Sequence, residues 1–108
     1  MGNDLIKGHL DPLVMAVVEQ GPLHGYAIIE ELRRRSQGEF DLPEGTVYPA
    51  LHRLERLGYL ASHWNEGRGR RRRVYELTRA GHRALANKRA EWRGFRTAVS
   101  AVLKFAGG

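Results

Sequence analysis

The sequence predicts a mainly α fold of the α+β class, a winged helix-turn-helix followed by one long C-terminal dimerisation helix. Three observations predict it. Apolar residues recur at helical spacing in three short segments ahead of Gly58. A hairpin pattern follows, with Glu66-Gly67-Arg68-Gly69 as its turn and Arg68, Arg70, Arg71, Arg72 and Arg73 crowded at its tip. Thr78 then opens a segment with an apolar stripe that runs to the end of the chain. Helix, helix, helix, hairpin and long helix is the order of a winged helix with one added helix.

Each element has a local cause. Asp11-Pro12 is the expected start of the first helix, because Asp can cap and Pro at the first helical position loses no hydrogen bond. Leu10, Leu13, Val14 and Val17 recur at helical spacing, and Gly21-Pro22 is the expected stop. His24-Gly25 leads into a second helix ending near Ser36, with Ile28, Ile29 and Leu32 as its apolar stripe. Its acids come early and its bases late, as the helix dipole prefers.

The third helix is expected to begin between Glu44 and Thr46 and to run to Leu57, with Gly58 as its cap. Val47, Leu51 and Leu54 stand at i, i+4 and i+7 and face the core. Pro49 is tolerable if Thr46 is the N-cap; an earlier start leaves one bond unmade. Residues 59–64 and 71–77 are the expected hairpin strands, with Tyr75 and Leu77 on one face and Arg72, Val74 and Glu76 on the other. Thr78 is the expected cap of the final helix. Along that helix Leu85, Trp92, Phe95, Val99, Val102 and Ala106 follow a near-heptad seam, which Lys88 weakens.

A chain of 108 residues supports one core. It divides into a winged-helix part, residues 1–78, and a dimerisation helix, residues 79–108, as one compact unit. The net charge of +6 favours a nucleic acid or another anionic partner. Cysteine is absent, which excludes disulfides, thiol catalysis and thiolate zinc sites and fits a reducing cytoplasm. The opening Met-Gly-Asn-Asp carries no signal-peptide pattern, and the apolar run from Leu13 to Val18 is too short for a bilayer, so no membrane role is expected. An enzyme is not expected either: no Gly-rich phosphate loop, cysteine nucleophile or His-Glu metal helix occurs. His9, His24, His52, His63 and His82 are scattered, so neither metal nor cofactor is expected.

Three stretches resemble the PadR family of bacterial transcriptional regulators. They are Gly21-Pro22-Leu23-His24-Gly25-Tyr26, then Leu42-Pro43-Glu44-Gly45-Thr46-Val47-Tyr48-Pro49-Ala50-Leu51-His52-Arg53-Leu54-Glu55, then Gly69-Arg70-Arg71-Arg72-Arg73-Val74-Tyr75-Glu76-Leu77-Thr78 with Ala80-Gly81 after it. With a single helix after the wing, the chain is similar to the smaller subfamily. The resemblance implies a homodimer that binds an inverted repeat in double-stranded DNA and usually represses. It also implies a third helix that reads DNA, a hairpin that acts as the wing and a last helix that dimerises. Some members of the family sense phenolic acids or drug-like aromatics, and others sense metal.

On that reading the third helix presents Thr46, Tyr48, Pro49, Ala50, His52 and Arg53 to a major groove. Arg53 suits a guanine or a phosphate, Pro49 and Ala50 suit thymine methyls, and Thr46 either caps its helix, contacts DNA or does both. Tyr48 serves a phosphate or fills the core, and Arg53 is alternatively paired with Glu55 or Glu30. In the wing, Arg68, Arg70, Arg71 and Arg72 are candidates for phosphates or a narrow minor groove, with Arg68 and Arg70 leading because they are nearest the tip. Strand alternation prevents all the arginines from facing one way, which leaves Arg71 or Arg73 for structural work.

Leu13, Val17, Leu85, Trp92, Phe95, Val99, Val102 and Leu103 are the expected dimerisation residues. Trp92 and Phe95 are either interface packing or one wall of a pocket for a planar aromatic molecule. Gly94 either admits a close partner helix or is neutral surface. A sequence-blind nucleic-acid binder and a protein-interaction module remain as alternatives. The first keeps the basic wing without base discrimination, and the second has no use for it.

Overall fold

One buried stripe per helix organises the fold. The computed structural model describes residues 8–104, apart from the Arg68 side chain. Phe105 is outside that range, as is Ala106 of the expected seam. Helix α1 spans Leu10–Val17 and buries Leu10, Val14, Met15 and Val17. Asp11 does not cap it: His9 precedes the helix, no side chain caps it, and Asp11 is its second residue. Pro12 still belongs to the first turn, where backbone N–H groups have no acceptor within the helix. The helix stops at Val17, ahead of the expected Gly21, and loose turns carry the chain onward.

Strand β1, Leu23–His24, then pairs antiparallel with the later wing strand, so the sheet has three strands. Two residues have no readable period, which is why the sequence shows only a hairpin. Helix α2, Gly25–Arg35, buries Ile28, Ile29 and Leu32, and the His24 imidazole accepts the Ala27 N–H at its start. Helix α3, Glu44–Arg56, begins at the early edge of its expected window. Pro43 precedes it and Thr46 does not cap it; the Thr46 backbone N–H donates to the Pro43 carbonyl at 3.0 Å. Pro49 therefore lies inside the helix and leaves the bond expected from its position unmade. Gly58 at φ +82° turns the chain out of α3, a conformation that suits glycine.

Strand β2 is Leu60–Asn65, a 3₁₀ turn covers Gly67–Gly69, and β3 is Arg72–Leu77. The strands lie in the order β1-β3-β2, with Leu60 opposite Leu77 and Asn65 opposite Arg72. Helix α4, Arg79–Leu103, starts at the expected cap. The Thr78 hydroxyl accepts the Gly81 N–H at 3.0 Å and donates to the Gly58 carbonyl at 2.6 Å, fastening α4 to the end of α3. Gly81 is required there: a Cβ would collide with the Tyr59 carbonyl and the Leu77 side chain.

The core lies among α1, α2, α3, the inner face of the sheet and the root of α4. Val17 and Leu85, expected at a dimer seam, are 4% and 2% exposed and pack into this core. They hold α4 onto its own domain and are not available to a partner. Arg89 adds a two-pronged ion pair to Glu19 after α1, both contacts at 2.8 Å, and this guanidinium lowers the Glu19 carboxyl from its usual value. Beyond that tie α4 runs on with little cover, and the molecule measures 53 × 28 × 21 Å.

Candidate nucleic-acid interface

At 100° per residue, the core stripe of α3 leaves Gly45, Pro49, His52 and Arg56 on the opposite side, and all four are exposed. Thr46 and Arg53 form one flank of that side, and Tyr48 and Glu55 the other. Ala50 does not belong to it. It is 1% exposed and packed in the core, so the expected contact with DNA is removed. The reason is geometric: Ala50 stands three residues from Val47 and four from Leu54, on their face of the helix.

The flanks are partly occupied. The Arg53 fork binds Asp11 on α1, through Nη2 at 2.5 Å and Nε at 3.2 Å, rather than either glutamate expected of it. This pairing raises the guanidinium pKa still further. Glu55 instead accepts from the Ser62 hydroxyl at 2.5 Å and lies 3.5 Å from Arg73. Tyr48 is half-buried, its ring lying on Gly25 where a Cβ would overlap it. Burial first, then the charge of Glu44, pushes its phenol pKa up. The Thr46 side chain makes no hydrogen bond among the described residues.

Alternation divides the wing arginines. Arg71 and Arg73 turn to Trp64, with guanidinium carbons 4.4 Å and 5.2 Å from its ring centre. Arg71 also lies 3.5 Å from Glu66, and Arg73 donates to the Ser62 hydroxyl at 2.9 Å. Arg72 turns the other way, its Nη1 3.0 Å from His24 Nε2. Arg70 lines the same cleft as Arg72, is exposed, and has no hydrogen bond or ion pair from its side chain among the described residues. The Arg68 side chain, a leading expectation, is outside the described residues.

A chain of contacts joins these parts. Tyr48 of α3 rests on Gly25, Gly25 follows His24, and His24 meets Arg72 of the wing. The first half of α3, the start of α2 and one face of the wing thus make one continuous surface. The sequence reading missed two of its members: His24 enters through β1, and Tyr26 stands exposed on the first turn of α2. Arg56, expected as a solvated or phosphate-facing charge further along the third helix, completes the outer side of α3.

A second feature lies between α1 and α4. A groove of about 620 Å³ is lined chiefly by His9, Pro12, Leu13, Ala16, Phe40, Leu85, Trp92 and Phe95. Trp92 lines this groove and meets His9 edge-on at 4.9 Å and Phe95 at 5.8 Å. Phe95, Val102 and Leu103 remain exposed by 60%, 78% and 58%. A Cβ on Gly94 would meet nothing within 4 Å. Among the described residues no His, Cys, Asp and Glu side chains gather into a metal-binding group, and no helix is long and apolar enough to cross a membrane.

The model of the transcriptional regulator PadR-like family matches residues 14–87. The chain is similar to a PadR family transcription regulator of Clostridium difficile R20291, with 36% identity, a TM-score of 0.79, and 89% of this chain and 99% of that one covered. A PadR family regulator of Eggerthella lenta DSM 2243 is similar at 32% identity and a TM-score of 0.80, over 93% and 86% of the two chains. In sequence, the transcriptional regulator Rv3488 of Mycobacterium tuberculosis is 43% identical over 67 residues, 62% of this chain and 60% of that protein.

Proposed function

The chain belongs to the PadR-like family of transcriptional regulators, and on that footing we propose that it is a homodimeric, DNA-binding repressor of the cytoplasm that recognises an inverted repeat. The observation that carries the reading is the contact line Tyr48–Gly25–His24–Arg72, which sets the outer side of α3 and the cationic wing on one surface. A rod of helix width beside positive charge fits a major groove flanked by phosphates. The outer side of α3 offers Thr46, Pro49 and His52 for base edges and thymine methyls, with Arg56 further along it. Arg70 and Arg72 meet phosphate, while Arg71 and Arg73 brace the wing on Trp64. Arg53 acts first as the tie to Asp11.

The exposed half of α4 serves as the dimer seam, with Trp92, Phe95, Val99, Val102 and Leu103 facing a second copy and Leu13 at its edge. Burial of apolar surface of this extent is the ordinary reason for a pair. Where the seam closes over the groove beside Trp92, a planar aromatic molecule is the proposed effector, because flat rings stack on an exposed indole. Its binding releases the operator only if it prefers one spacing of the two DNA-reading helices.

Selection of bound duplexes from a random pool tests the core of the reading. The expected product is a near-palindrome with half-sites about one DNA turn, ~34 Å, apart. A selected pool without sequence preference would favour the sequence-blind binder instead.

A further inference from the structure

The imidazole of His24 faces two donors and can satisfy one. Its Nδ1 receives the Ala27 backbone N–H at 3.3 Å, the bond that starts α2. Its Nε2 stands 3.0 Å from Nη1 of Arg72. A neutral imidazole has one lone pair and one N–H, and a guanidinium has donors only. When Nδ1 accepts, Nε2–H confronts the guanidinium N–H. When Nε2 accepts, Nδ1–H confronts Ala27. An acceptor placed between Nε2–H and Arg72 ends the conflict by taking both hydrogens.

The surroundings specify that acceptor. Beside the pair opens a cleft of about 330 Å³ lined by His24, Asn65, Gly67, Arg70, Arg72 and Val74, with no carboxylate among them. The other side of His24 borders a hollow that includes Tyr26, Glu30, Glu31 and Arg35 of α2. Its carboxylates are already engaged: Glu30 by Arg33, and Glu31 by Arg34 and Arg35, which together hold the Glu31 carboxyl at about 2. Among the described residues the cleft therefore presents two guanidinium groups and one imidazole, with no carboxylate in its lining.

We propose that His24, Arg70 and Arg72 form a clamp for one backbone phosphate of DNA, tightened when His24 takes up a proton. The clamp rests on the DNA-binding reading above and assigns it a site and a pH dependence. In the free chain, burial first and Arg72 second keep the imidazole below its ordinary value of 6.5. A phosphate reverses the balance: its charge favours the imidazolium, and the proton added at Nδ1 gives up only the long 3.3 Å bond from Ala27. The complex thus holds the proton more tightly than the free chain. Affinity rises as pH falls through the titration of the complex and levels off below that of the free protein. Folding has the opposite sense: stability from neutral His24 is present above about 6.5 and is lost as pH falls through the depressed folded value.

The test uses the full chain and a labelled duplex of arbitrary sequence at low salt, since a backbone contact needs no operator. His24→Asn still caps α2 but does not titrate. Between pH 8 and pH 5 the wild type should gain at least about threefold more affinity than H24N. The subtraction leaves only what His24 contributes. Ring resonances of His24 should titrate at higher pH once duplex is added. In the free protein Arg72→Gln should move the same titration upward.

Equal pH profiles for the wild type and H24N, or a His24 titration unmoved by duplex, overturn the clamp and leave DNA binding standing. A His24 titration unmoved by R72Q removes the contact on which the clamp is built. If the wild type binds no duplex at either pH, the DNA reading itself falls, and the clamp falls with it.

Discussion

Arg53 and Arg70 carry the same charge in different settings. Arg53 grips Asp11 by two prongs and so ties α3 to α1, while Arg70 stands exposed over an open cleft. The Arg53–Asp11 pair is part-exposed on both sides, so its worth is modest. Arg53→Ala and Asp11→Ala should each cost up to about 1 kcal/mol in urea unfolding, and the double variant should cost less than the sum. Strict additivity would show that the pair is idle in solution. Arg70→Ala should leave stability unchanged, weaken all duplex sequences alike and flatten the plot of log affinity against log salt by about one unit. An unaltered slope would remove Arg70 from the phosphate contacts. The charge of these residues was legible in the sequence, but their partners were not. Asp11 is 42 positions from Arg53, and only packing brings them together. Ala50 was misplaced for a different reason: a methyl group is small enough to suit either face, and its position between Val47 and Leu54 decides the matter.

At the scale of elements, two glycines of α4 make contrasting predictions. Gly81 presses against the Tyr59 carbonyl, and Gly94 faces open space within its own chain. Gly81→Ala should destabilise by about 1–3 kcal/mol, since the root of the helix must shift off the sheet. Gly94→Ala should stabilise the chain by up to about 1 kcal/mol, the ordinary gain of alanine over glycine in a helix. Thermal and denaturant unfolding compare the two. Equal effects would contradict the close approach at Gly81, and a loss at Gly94 would place a second copy against that position. Helices α2, α3 and α4 were legible because each combines an apolar period with an end signal, as with His24-Gly25, Gly58 and Thr78. Strand β1 was not, because two residues have no period and their partners in β3, Tyr75 and Val74, lie far along the chain. Helix α3 starts at the early edge of its window because Pro43 precedes its first turn, which leaves Thr46 inside rather than at the cap.

At the scale of the whole molecule, the long axis of 53 Å reflects a helix that outruns its domain. The root of α4 is anchored by Leu85 and the Arg89–Glu19 pair, while Phe95, Val102 and Leu103 project beyond it. Sedimentation at micromolar concentration should show a dimer. Replacing Val102 and Leu103 together by Glu should give a folded monomer with much weaker binding to a two-half-site duplex, because one DNA-reading helix then acts alone. A wild-type monomer would overturn the proposed seam.

Chain order, helix periods, the basic wing and the cap at Thr78 follow from the sequence alone, because each depends on residues within a turn or two of one another. Tertiary structure decided the rest. It sent Arg53 to Asp11 and Val17 to the core, set Arg71 and Arg73 on Trp64, and brought His24 under Arg72. These outcomes depend on which surfaces meet when the helices bury their stripes, and the distance between partners along the chain carries no trace of that meeting.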